Sequence, residues 1–558
     1  MNTPTKYILG LAISLSLFSC LKEDENTSKP FTQILDFKQE ITGLSGELIK
    51  TVTLNNKIET QTISKPNWEI ELKPFLDADF NTPANQDDFT RTERVSSLTG
   101  LKDVIWVSND NSSVKKAVYR YENKECVAAV IYLNKESAVY THEEILTYLP
   151  NSGYSIENSQ GLSNISTESF HLVGEFSGKP QPWKMYFDIG NNQIVPVRFD
   201  FTFDTQKPIL AFKQGKETIK MTATKTDTGY YVEVPVFNAF LTFSITDQTM
   251  KGEFHNLDKG ENYIIPFHAQ KLSYDLLTPS NEMENSPNFE GKWEVYFGEG
   301  DDKSKAIGMF DRLGDDLYGT FATETGDYRF LQGKIIDDSF SLSTFDGSHL
   351  FLFTGKIIGN KITSGHFYSG SHYQTTWYGE KNNSVTLTNP DEMTSLKEGV
   401  EKIDFTFPNL NGDLVSLSNE KFNDKVVIVQ ILGSWCPNCM DETRYFKELY
   451  SKYNTAGLEI IGLAFERSKD FEKAKISLNK AIHDLQVPYT MLIAGTPKES
   501  ANALPMITKI KSYPTSIIIN KQGEVVQIHT GFYGPSTGSY YEEYTKKMDE
   551  LLNQLLSK

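Results

Sequence analysis

The sequence predicts a multidomain protein with an N-terminal all-β region, a sandwich or a barrel, followed by a C-terminal α/β domain. Three observations predict it. At 558 residues the chain exceeds what a single hydrophobic core serves. From about residue 61 to 385, short segments alternate apolar and polar residues, and Asn, Asp, Gly and Ser separate them, as in strands with one buried face. After residue 398 the pattern changes to near-continuous apolar runs alternating with amphipathic stretches, as a sheet covered on both faces requires.

Residues 1–20 read as an address. Lys6 precedes an apolar run, residues 7–18, which falls short of the roughly 20 residues that span a bilayer and suits the apolar core of a secretory signal. The run ends in Leu17-Phe18-Ser19-Cys20, which resembles the lipobox of bacterial lipoproteins. That resemblance implies that Cys20 becomes an acylated N-terminus and that the lipid bilayer is a partner. Leu21 differs from the Asp that retains some lipoproteins in the inner membrane, which implies the outer membrane. Lys22-Glu23-Asp24-Glu25 resembles the acidic tag of lipoproteins exported to the cell surface, and reads equally as a solvated tether. The expected location is therefore the cell envelope, lipid-anchored, on the periplasmic face or the surface.

Residues 21–60 read as a tether and first strand, 61–205 as a β domain and 206–385 as a second, barrel-like one. Trp68-Glu69-Ile70-Glu71-Leu72 and Ala128-Ala129-Val130-Ile131-Tyr132 are predicted strands of the first. In the second, Gly252-Glu253-Phe254, Gly319-Thr320-Phe321 and Gly365-His366-Phe367 repeat one small pattern, and Thr325-Gly326-Asp327 and Asp346-Gly347 mark turns. Gly291-Lys292-Trp293 ahead of a strand resembles the start of lipocalin-like barrels. Such a barrel holds a ligand or is a packed spacer. Residues 386–397, with Asn389-Pro390-Asp391, read as a linker, and 398–558 as the α/β domain.

Within that domain the run Val426-Val427-Ile428-Val429-Gln430-Ile431-Leu432 predicts a buried central strand. Gly433-Ser434 turns the chain into Trp435-Cys436-Pro437-Asn438-Cys439, and Phe446, Leu449, Tyr450 and Tyr453 then fall on one helical stripe. Cys436 therefore sits at a helix N-terminus, where unpaired N–H groups and the macrodipole favour a negative charge. The thiolate is the attacking species, and such sites lower a cysteine pKa from about 8.5 to roughly 3.5–7.5. The spacing puts Cys439 on the same turn, within reach of a Cys436–Cys439 disulfide. Cys436 is thus the candidate nucleophile and Cys439 the resolving thiol, with Trp435 packing beside them and limiting access.

Phe405-Thr406-Phe407-Pro408-Asn409-Leu410-Asn411-Gly412, Val415-Ser416-Leu417 and the WCPNC motif after a strand together resemble the ResA/TlpA family of membrane-tethered, extracytoplasmic thioredoxin-like reductases. The resemblance covers about the last 160 residues. It implies a thioredoxin fold and thiol:disulfide oxidoreductase activity without a cofactor. It also implies that Tyr513-Pro514-Thr515 is the family's cis-proline loop, with Pro514 shaping the substrate groove against the CxxC. Glu442, three residues after Cys439, matches the glutamate that exchanges protons with the buried thiol, and also reads as a solvated first-turn acid. Pro437 and Asn438 are the pair that tunes the potential. The implied partners are a disulfide-containing protein substrate and a membrane electron-donor thiol protein.

A net charge of −18, from 55 Lys and Arg against 73 Asp and Glu, argues against nucleic acid as a partner. The same CxxC is half of a zinc site, but further thiols or paired histidines do not accompany it. A peroxiredoxin shares the fold, but PxxxTxxC is absent. The alternative of another class is a cell-surface or periplasmic ligand-binding lipoprotein with an accessory redox domain. His349, His366 and His372, with Asp346 nearby, are weak candidates for a metal site and read otherwise as structural. Cys126 reads as a half-buried apolar residue.

Overall fold

The computed structural model describes residues 34–557 apart from 56, 81–86, 110–111, 138–139, 163–167, 247 and 275–287. Cys20 and the acidic stretch behind it lie outside the described residues. Among those described, no helix is long and apolar enough to cross a membrane.

Three antiparallel β units precede the α/β domain. The first is a nine-stranded open sheet between Leu48 and Phe176. Its strands follow one another in space, except that Leu48–Leu54 pairs with Glu168–Phe176 and places its hairpin mate, Lys57–Ile63, at the edge. Two expectations are corrected by this unit. Residues 21–60 hold the expected first strand, Leu48–Leu54, but the stretch ahead of it is more than a tether: Asp36 caps a helix, Phe37–Gly43, by accepting from Lys38 and Gln39 N–H. The segment predicted as a strand at residues 68–72 is a helix, Trp68–Glu71, capped by the Asn67 side chain. Five residues with apolar ends satisfy a period of two and an i,i+4 pair equally, and the cap decides. Leu72 is buried, and Trp68 meets Phe176 edge-on at 5.5 Å.

The second unit is a closed barrel of eight strands from Gln181–Asp188 to Ile264–Lys271, a meander whose last strand pairs with its first at Trp183 and Lys271. The third is a nine-stranded sheet between Gly291 and Lys381, closed into a ring where Ser304–Leu313 pairs with Asp316–Thr323. The β region thus divides near residues 178 and 280 instead of at 205. Strand Ile194–Thr202 belongs to the barrel, because Val195, Val197 and Phe199 point into the same core as Leu210 and Phe212.

Both barrel interiors are filled. Phe345, from the third unit, enters the second and packs at 5.3, 5.1 and 5.2 Å from the rings of Phe187, Phe212 and Phe254. Gln214 Nε2 fixes it by donating to the Phe345 carbonyl at 3.2 Å. The repeated Gly-x-Phe has a packing cause. A Cβ on Gly365 would lie 2.2 Å from the Trp377 carbonyl, and one on Gly319 would lie 2.5 Å from the Phe310 ring.

In the α/β domain we label β1 (Val426–Leu432), α1 (Pro437–Tyr453), β2 (Leu458–Phe465), α2 (Phe471–Leu485), β3 (Thr490–Gly495), β4 (Thr515–Ile519), β5 (Val525–Thr530) and α3 (Ser539–Ser557). The sheet order is β3-β2-β1-β4-β5, with β1, β2 and β3 parallel and β4 and β5 antiparallel. Every residue of β1 is buried, and alternate residues feed two cores. Ile428 and Leu432 join Phe446, Leu478 and Leu552 of the three helices. Val427 and Val429 join Phe405, Phe422 and Ile507 on the other face. This is a thioredoxin-like fold, and it puts the C-terminal end of β1 and the start of α1 at the middle of the sheet edge.

Candidate active site

The turn between β1 and α1 is fixed from behind. Ser434 donates its N–H to Glu466 Oε1 at 3.0 Å and its hydroxyl to Glu466 Oε2 at 2.7 Å. Burial, opposed by those two hydrogen bonds, pushes the Glu466 carboxyl up to about 7. Trp435 Nε1 donates to the Phe465 carbonyl at 3.0 Å, and the Arg467 guanidinium stands 3.8 Å over its ring. A Cβ on Gly433 would lie 2.2 Å from Trp435 Nε1, so the indole requires glycine there.

Cys436 is the N-cap of α1, in extended conformation, and its Sγ accepts from Cys439 N–H at 3.3 Å. Pro437 takes the first helical position, where a missing N–H costs nothing. The two cysteines are joined as a disulfide with Cα atoms 5.3 Å apart. Cys436 is 7% exposed and Cys439 0%, so an external partner reaches only Cys436. A negative charge on that sulfur meets an N–H and the positive end of a 17-residue helix. Cys436 Sγ lies 3.5 Å from the Tyr513 carbonyl, and the Tyr513–Pro514 bond is cis, with Pro514 buried.

Glu442, three residues after Cys439 on α1, is fully buried. Its Oε1 accepts from Ser516 Oγ at 2.7 Å and its Oε2 from Gln430 Nε2 at 2.9 Å. Gln430 Nε2 also reaches the Cys439 carbonyl at 3.3 Å, which ties the carboxyl to the backbone of the buried cysteine. Burial, opposed by those donors, pushes the Glu442 carboxyl up to about 8. A carboxyl that changes protonation near neutrality, one helical turn past the buried cysteine and tied to its backbone through Gln430, can take and return a proton as the disulfide closes and opens.

The neighbouring Asp441 is not the solvated residue its place on the helix suggests. It is buried against Arg329 of the third β unit, at 3.2 Å, and Arg329 also pairs with Glu217 of the second at 2.9 Å. Gln430, Ser516, Glu466, Arg467 and Arg329 are site residues that pattern reading passes over. Only Gln430 carries a signal, as the one polar residue in the β1 run.

The histidines do not gather. His349 Nδ1 pairs with Asp346 Oδ2 at 3.0 Å, His366 Nδ1 lies 3.1 Å from the Ser364 carbonyl, and His372 is exposed beside Tyr263. Among the described residues, no three His, Cys, Asp or Glu side chains form a group that could hold a metal. Burial pushes the half-buried Cys126 thiol up to about 12, which leaves it unreactive at neutral pH.

Residues 399–528 match the AhpC/TSA family. The chain is similar to Thiol-disulfide oxidoreductase ResA of Bacillus thuringiensis subsp. konkukian, 31% identical over 152 residues that cover 27% of this chain and 78% of that protein. It is 26% identical over 140 residues to the protein of the same name from Bacillus subtilis, covering 25% of this chain and 69% of that one. Among solved structures it is similar to the thioredoxin domain of a thiol-disulfide oxidoreductase from Bacteroides vulgatus, at 22% identity, 27% of this chain, 99% of that chain and a TM-score of 0.21.

Proposed function

Because the chain belongs, through its C-terminal domain, to the ResA family of thiol-disulfide oxidoreductases, we propose that it reduces disulfides of protein substrates outside the cytoplasm, with Cys436 as the attacking sulfur. The observation that carries this reading is the difference between the two cysteines, one at the helix N-cap and partly exposed and one fully buried on the first turn. The Cys436 thiolate attacks one sulfur of a substrate disulfide and releases the other as a thiolate. Cys439, its proton passing to Glu442 in its ionised form, which gains population as the pH approaches 8, attacks the Cys436 sulfur of the mixed disulfide, releases the second substrate thiolate and closes the Cys436–Cys439 bond. The substrate gains two electrons and leaves as two thiolates that take their protons from water, while the protein loses two electrons and passes one proton, that of Cys439, to Glu442. A membrane-bound thiol donor restores the dithiol.

The sequence around Cys20 supports a lipid anchor, on either face of the outer membrane. Trp435 and Pro514 shape access to the pair in this reading, and Pro437 tunes it. No metal or organic cofactor enters any step.

The test uses the full chain, pre-reduced and freed of reductant, against insulin. Wild type gives one turnover per dithiol, Cys436→Ser gives none, and Cys439→Ser accumulates a mixed disulfide. Absence of turnover in wild type with insulin and with 2-hydroxyethyl disulfide alike sinks the reading. Incorporation of an alkyne-tagged fatty acid, lost on Cys20→Ala, tests the anchor separately.

A further inference from the structure

A turn from another domain lies on the loops that surround the disulfide. In the third β unit, Glu324-Thr325-Gly326-Asp327 comes directly after the strand Asp316–Thr323. Asn438, between the two cysteines, donates its amide to the Asp327 carbonyl at 3.2 Å. Ser512, beside Tyr513, donates its hydroxyl to the Thr325 carbonyl at 3.3 Å. The loop after β5 supplies Tyr533 OH to the Thr323 carbonyl at 2.9 Å, Ser536 Oγ to Asp327 Oδ1 at 3.1 Å and Gly534 N–H to Asp327 Oδ2. Two glycines permit the approach. A Cβ on Gly326 would lie 2.1 Å from Asn438 Nδ2, and one on Gly531 would lie 2.6 Å from the Thr325 carbonyl.

A disulfide presented by a folded protein comes with backbone on both sides of it, and that backbone needs polar groups around the attacking sulfur to dock on. The Asn438 amide and the Ser512 hydroxyl are such groups, and both are already bound to carbonyls of the turn. The turn therefore holds the surface as an extended ligand would. On the opposite side of the pair Arg467 lies over Trp435, and Asp258 and Lys259 of the second β unit come within electrostatic reach of Arg467.

We propose that residues 323–329 are a built-in occupant of the docking surface beside Cys436 and a specificity determinant of the enzyme. The intact chain favours small disulfides and disulfides in flexible segments, which reach Cys436 past Trp435. It discriminates against disulfides in folded proteins, which need the surface that the turn holds. This rests on Cys436 being the attacking sulfur, and narrows the substrate class of that site.

The experiment compares the second-order rate constants, the kcat/KM of a single reducing turnover, with which the pre-reduced full chain reduces folded insulin and 2-hydroxyethyl disulfide. Gly326→Val cannot keep its contact with Asn438, and a second variant, with residues 324–327 replaced by Asn-Gly, shortens the turn without touching the redox domain. The ratio of insulin to small-disulfide kcat/KM rises about tenfold in both variants, a difference of discrimination and not of chemistry. If the ratio stays at the wild-type value in the shortened-turn chain, or in both variants, the turn is not a barrier and the proposal is overturned. If wild type and variants alike reduce neither substrate, the assignment of Cys436 fails, and this inference falls with it.

Discussion

Ser516 Oγ donates to Glu442 Oε1 across 2.7 Å, from β4 to α1, and so fixes a carboxyl that burial has pushed up to about 8. The unfolded carboxyl titrates near 4.5. The folded state therefore holds a proton that the unfolded state lacks between those two values. The stabilisation that goes with that proton is complete below about 4.5 and is lost as the pH rises through about 8.

Glu442→Gln keeps the shape and a neutral side chain at every pH. Between pH 6 and pH 8.5 the wild type loses roughly 2–3 kcal/mol that the variant keeps, at about 1.4 kcal/mol per pH unit. Thermal unfolding of both proteins across that interval measures it. Two curves that run parallel with pH would mean that the carboxyl is already ionised in the fold. The variant also loses the inflection near pH 8 in the rate of mixed-disulfide resolution, which a merely structural glutamate would not produce.

Glu466 is a positioning residue. It holds both polar groups of Ser434, two residues before the nucleophile, and touches neither sulfur in its hydrogen bonds. Glu466→Ala leaves the buried Ser434 N–H without its acceptor, at a cost of about 1–3 kcal/mol, and lowers kcat/KM by about tenfold. Glu466→Gln restores an acceptor for the N–H and recovers most of both. Equal damage from Ala and Gln would show that the charge and not the hydrogen bond is what the turn needs.

Legibility in the sequence depends on how local each feature is. The strand, the turn, Cys436 at the N-cap and Glu442 one turn past Cys439 all lie within seventeen consecutive residues, and each is readable from spacing alone. The partners that give Glu442 its chemistry are not local. Ser516 is 74 residues away in sequence, and nothing in Thr515-Ser516-Ile517 distinguishes it from any strand serine. Thr325-Gly326-Asp327 announces a turn, but a turn reads the same whether it faces water or a catalytic disulfide. Asp441 reads as solvated for the same reason, since its ion-pair partner Arg329 comes from another domain. A boundary near 205 does not exist because one meander continues through it without a change in composition.

Arg329 joins three parts of the chain through Glu217 and Asp441, and its side chain is only 7% exposed. Removing it takes this partner from Glu217 and leaves the buried Asp441 paired, among the described residues, with Arg444 alone, at 2.5 Å. Arg329→Met destabilises the protein by about 3 kcal/mol, because the half-exposed Arg444 compensates the buried Asp441 only in part. Adding Asp441→Asn recovers about half of that loss. Chemical denaturation of the wild type, both single variants and the double variant closes the cycle, and strict additivity would place the two side chains out of contact.

Gly433→Ala is the smallest change that tests the active-site turn. The added methyl would sit 2.2 Å from Trp435 Nε1 and 2.5 Å from Cε2, atoms of a rigid ring and not the end of a flexible chain. The indole must leave the Phe465 carbonyl, and Arg467 loses the face it covers. Overpacking of this kind costs about 1–3 kcal/mol. The freed indole moves toward water, so tryptophan emission, excited selectively over tyrosine, shifts to the red relative to wild type. The rate with small disulfides changes more than the rate with insulin, because the Trp435 side is the approach that the turn at residues 323–329 leaves open. A variant with wild-type emission and wild-type rates would show that the ring yields without consequence, and would remove Trp435 from any part in controlling access to Cys436.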